Sequence, residues 1–62
     1  MNDELRKQCK ELKVFQGVAY NEIAEYLEVK RNSFYNWLKG YYNFSEEKQI
    51  QLQEIINNLK EV

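Results

Sequence analysis

Asn21-Glu-Ile-Ala-Glu-Tyr-Leu-Glu-Val-Lys-Arg-Asn-Ser-Phe-Tyr-Asn-Trp-Leu-Lys-Gly40 decides how this 62-residue chain folds. The apolar residues Ile23, Ala24, Leu27, Val29, Phe34, Trp37 and Leu38 recur at helical spacing, interrupted at Glu28 and Val29. The spacing predicts one helix from about Tyr20 to Leu27 and a second from about Lys30 or Arg31 to Lys39, joined by a tight corner. Ala24 is small enough to let the second helix cross closely. A corner residue such as Glu28 often needs a left-handed backbone, which glycine adopts freely and glutamate only at a cost. Val29 is expected to plug the gap between the helices. Gly40 stands in the place of a C-cap, with Lys39 favourably placed in the last turn. Ala19 is a poor N-cap, so the earlier helix is expected to fray at its start or to recruit Asn21.

The flanks extend this helical pattern in both directions. Leu5, Cys9, Leu12 and Phe15 follow one another at steps of four, three and three, predicting a helix from Asn2 or Asp3 to Phe15 that Gly17 ends. Asn2 or Asp3 is expected to cap it, while Arg6, Lys7, Lys10 and Lys13 lie off the stripe. Cys9 sits on the stripe as a small buried hydrophobe, with no histidine to activate it. Beyond the aromatic connection Tyr41 to Phe44, Ser45 is a strong N-cap for a last helix running to Leu59 or Lys60. Ile50, Leu52, Ile55, Ile56 and Leu59 make its apolar face broader than one stripe, leaving Ile56, Leu59 and Val62 for a partner such as a second copy. No proline and two glycines argue for few irregular loops. The expected fold is all-α, one domain spanning residues 1–62 with four to five helices.

Composition narrows the function. A domain this small buries only about 60% of the surface its unfolded form exposes, so packing must suffice, helped by a second subunit if one is present. One cysteine excludes an internal disulfide, and one thiol without histidine offers no ligand set for zinc. The charged start Met-Asn-Asp-Glu-Leu-Arg-Lys leads into no apolar run, so neither a secretory signal nor a membrane span is expected, and the cytoplasm is the default location. No histidine, a single aspartate and glutamates on solvated faces leave no acid–base pair or activated nucleophile, which argues against an enzyme. No cofactor is expected.

The net charge of −1 is not that of a typical nucleic-acid binder, but its distribution is uneven. Residues 30–40 carry Lys30, Arg31 and Lys39 and no acid; residues 15–29 carry Glu22, Glu25 and Glu28 and no base. On a helix, Phe34, Trp37 and Leu38 share one face, and Arg31, Tyr35 and Lys39, with Asn32 and Asn36 beside them, share the other. Trp37, in register with Phe34 and Leu38, is read as core rather than as a stacking platform. Tyr35, exposed in mid-helix, has no packing reason to be there, whereas at a DNA surface it meets a phosphate, a base edge or a thymine methyl. Arg31 then suits guanine, Asn32 or Asn36 adenine, and Lys30 and Lys39 phosphates.

The run Tyr20 to Gly40 resembles the helix-turn-helix of the lambda-repressor-like (Cro and XRE-type) transcription regulators. Ile23 and Ala24 match the core of the first helix, Leu27 and Val29 flank and fill the turn, and Phe34 and Trp37 match the second helix. The match is tight over about a third of the chain and loose over nearly all of it. It implies a bacterial or phage regulator, most simply a repressor, whose second motif helix enters the major groove while the first crosses the backbone. Carried onto this sequence, it implies base contacts from Lys30, Arg31, Asn32, Tyr35 and Asn36. Phosphate contacts are implied for Tyr20 or Asn21 and for Lys39, with Tyr42 or Asn43 as further candidates. Glu28 stands where glycine is usual, and Ala19 and Lys30 where small capping hydroxyls are usual. Double-stranded DNA and a homodimer are the implied partners, the chain being either complete or the front part of a longer repressor. A protein-binding helix-turn-helix module, such as a phage-encoded inhibitor or adaptor, is the rival expectation, since fold does not fix function.

Overall fold

Trp37 is the hub around which the helices assemble. The computed structural model describes residues 1–60, in which α1 (Asn2–Gln16), α2 (Tyr20–Leu27), α3 (Arg31–Leu38) and α4 (Glu46–Lys60) form without any strand. Helix α4 packs on α1 and α2, and α2 packs on α3. Phe34 tilts against the indole of Trp37 at 5.5 Å, and Phe44 from the α3–α4 connection stacks on it at 4.5 Å between ring centroids. Leu5, Cys9, Leu12, Ile23, Ala24, Leu27, Leu52 and Ile56 complete the buried core. Val29, expected to plug the gap between the two helices, is half-buried and packs against the edge of this core. Glu28 takes a left-handed backbone at φ 61° and ψ 39°, its N–H bonding back to α2. Gly17 ends α1 in the same conformation, and the Ser45 hydroxyl accepts the Lys48 N–H at the start of α4. Among the described residues no helix is long and apolar enough to cross a membrane.

Several expectations are overturned. Phe15 is not core; it is 80% exposed. Each step of three residues falls about 60° short of a full turn, so two such steps carry Phe15 about 120° around the helix from Cys9. Ile50 is likewise 52% exposed, because the step of two positions to buried Leu52 turns about 200° and leaves it on the opposite face of α4. Asn2 caps nothing. It lies inside α1, and its Oδ1 accepts the Trp37 indole N–H at 2.8 Å and the Phe44 N–H at 3.0 Å. Arg6, off the apolar stripe, is nonetheless buried: its Nε donates to the Trp37 carbonyl, and its Nη2 to the Tyr42 carbonyl and Asn43 Oδ1. Its guanidinium lies 5.1 Å from the Trp37 ring centroid. Helix α3 stops at Leu38, one residue short, leaving Lys39 as the C-cap and Gly40 at φ 89° beyond it.

Candidate nucleic-acid interface

The corner between α2 and α3 brings a shared acceptor to two side chains of α3. Asn21, at the start of α2, does not cap its own helix. Its Oδ1 instead accepts Arg31 Nε at 2.8 Å and the Tyr35 hydroxyl at 3.2 Å. Arg31 at the first turn of α3 and Tyr35 one turn on are thereby tied to α2. Tyr35 differs from the exposed ring the sequence predicts. It is half-buried, packs on the core edge and meets Tyr20 edge-on at 6.0 Å. Its ring therefore has a packing reason, and its hydroxyl carries the polar function.

Lys30, Arg31, Asn32, Asn36 and Lys39 are all exposed. None of the three bases forms an ion pair among the described residues, and α3 contains no acid. Glu28 sits in the corner two residues before Lys30, so one carboxylate borders the cationic face. Tyr20 is half-buried, with Phe34 on one side and Tyr35 on another. Burial, then the neighbouring Cys9 and Tyr35, push its phenol above the ordinary range. The Tyr42 hydroxyl donates to the Ser33 carbonyl and Asn43 Oδ1 accepts from Arg6, so both residues pin the connection after α3.

One base outside the sequence-predicted set joins this surface. Lys13 Nζ lies 4.5 Å from the Tyr20 ring centroid. The available signal is the 4, 3, 4 spacing of Asn2, Arg6, Cys9 and Lys13, which lines all four on the edge of α1 that meets the α2–α3 unit. The expected dimer residues are placed differently. Ile56 is fully buried in its own core, four residues after Leu52 on the same stripe, and offers nothing to a partner. Leu59 is half-buried at the core edge, and Val62 lies outside the described residues. No protein-family model, curated protein or solved structure matches this chain. The surface itself is therefore the guide to function.

Proposed function

We propose that this chain is a sequence-specific reader of double-stranded DNA, a lambda-repressor-like helix-turn-helix regulator of the XRE type acting in a bacterial or phage-infected cytoplasm. Helix α3 is the one that enters the major groove, with α2 across the backbone. The observation that carries this reading is the single Asn21 oxygen holding Arg31 and Tyr35 together on a helix free of acid. Held through Nε, Arg31 keeps both Nη groups for the O6 and N7 of guanine, and less rotamer freedom is lost on binding. Asn32 and Asn36 suit adenine, and Lys30 and Lys39 suit phosphates.

Size supports a pair of subunits. The described residues span 28 Å in their longest dimension, whereas half-sites recur about 34 Å apart on the duplex. One copy reads one half-site. With Ile56 committed to the core, the C-terminal end of α4 around Leu59 remains the proposed contact, and sedimentation at high micromolar concentration tests it. A single-subunit mass counts against the pairing. The binding itself is tested by titrating a duplex selected from a random pool, and an unselected duplex, at several salt concentrations. Affinity for both should fall steeply with salt, and the selected duplex should bind about 1000-fold tighter or better.

Exposed aromatics favour a second reading. Phe15, Tyr26 and Tyr41 are open to solvent, and such rings anchor protein interfaces. A protein-binding module without primary DNA function is the reading that stands if no duplex binds, or if binding ignores salt.

A further inference from the structure

Helix α1 carries four bases, and they have different surroundings. Arg6 is consumed inside the fold by three acceptors besides Asp3, whereas Lys7, Lys10 and Lys13 are exposed. Lys13 differs from the other two because its ammonium rests over the Tyr20 ring. That ring meets Tyr35 edge-on, and the Tyr35 hydroxyl shares Asn21 Oδ1 with Arg31. A base at the end of α1 is thus joined through two rings and one amide to the face of α3.

The charge along that edge makes the position consequential. Tyr20 and Asn21, the groups of α2 that would meet a DNA strand, are neutral; the rest of α2 contributes Glu22 and Glu25 and no base. A helix lying in the major groove has a phosphate row on each wall. Lys30 and Lys39 serve the two ends of α3, but α2 itself would face phosphates with two neutral groups, two acids and no base. Lys13 forms no ion pair among the described residues and is exposed, so its ammonium is open to an anion.

We infer that Lys13 is a phosphate-contacting residue of the DNA interface, supplying from α1 the positive charge that the α2 edge lacks. This rests on α3 being the groove helix. The test is fluorescence anisotropy of an unselected duplex against salt, comparing wild type with Lys13→Gln, Lys13→Arg and, as control, Lys7→Gln. Lys7 lies about 120° around α1 from Lys13 and about 9 Å along it. Lys13→Gln is expected to lower the log–log salt slope by about one and to weaken binding about eightfold at 0.1 M salt. Lys13→Arg should keep the wild-type slope, and Lys7→Gln should keep it too. A wild-type slope in Lys13→Gln, or an equal fall in Lys7→Gln, overturns the assignment while leaving the DNA reading intact. Wild-type protein that fails to bind any duplex overturns both. Thermal melts of all four proteins distinguish lost charge from lost folding, since Lys13→Arg retains the contact with the ring and Lys13→Gln leaves the core untouched.

Discussion

Two residues hold energies that their positions on a helical wheel do not reveal. Glu28 occupies a left-handed conformation that favours glycine, so Glu28→Gly should raise stability by about 1 kcal/mol, read as a higher urea midpoint. A lower midpoint would mean that the side chain supports the corner. The same change removes the carboxylate beside Lys30 and should tighten duplex binding at low salt, an effect that fades as salt screens it. Arg6 is the opposite case, a charge held inside by three carbonyl-type acceptors. Arg6→Gln should cost about 3 kcal/mol or more, because carbonyls that accepted a charged donor are left without one. Asp3→Asn should change the midpoint little, since the Asp3 carboxylate is 99% exposed although it bonds to the same guanidinium. Equal, small effects of both substitutions would contradict the structural role of Arg6.

Helix α3 is two-sided, and its two sides should fail differently. Trp37→Ala removes the indole on which Phe34, Phe44, Asn2 and Arg6 converge, at a cost of about 3–5 kcal/mol. Against the roughly 5–15 kcal/mol available to any domain, that should abolish cooperative melting. A melt near that of wild type would refute the assignment. On the outer side, Arg31→Ala should flatten preference between duplex sequences, whereas Lys39→Ala should weaken binding to all of them and lower the salt slope by about one. Identical losses from both would contradict the division between base and phosphate contacts. This two-sidedness is legible from spacing alone: Phe34 and Trp37 recur within one helix, so their register declares the core. Phe15 and Ile50 mislead because register drifts: two successive steps of three carry Phe15 about 120° off the stripe, and the step of two from Ile50 to Leu52 turns about 200°. Asn21 and Arg6 are illegible for another reason. Apart from Asp3, their partners lie 10 to 37 residues away in sequence, and no local period encodes which carbonyl or amide will arrive there.

At the scale of the whole molecule, no disulfide ties the described residues together, so core packing carries most of the cohesion alongside hydrogen bonds, cation–π contacts and one ion pair, and Cys9 reports on it. The thiol is fully buried in the core, and burial pushes it up from 9.0 to about 12. The sign follows from which state releases the proton first. Below about pH 9 folded and unfolded chains both keep it, so stability does not depend on it. Between about 9 and 12 the unfolded chain ionises and the folded one does not, which draws the equilibrium toward unfolding by about 1.4 kcal/mol per pH unit. Other groups of the chain respond to alkali as well, so a single pH profile cannot isolate the thiol. Cys9→Ala can. It leaves those groups in place and removes only the buried acid, at a packing cost that does not vary with pH. The urea midpoint of wild type should therefore exceed that of Cys9→Ala at pH 8, and the gap should narrow steadily toward pH 11. A gap that stays constant would mean that the thiol ionises as readily in the folded protein as in the unfolded one, which a closed core around Trp37 does not permit.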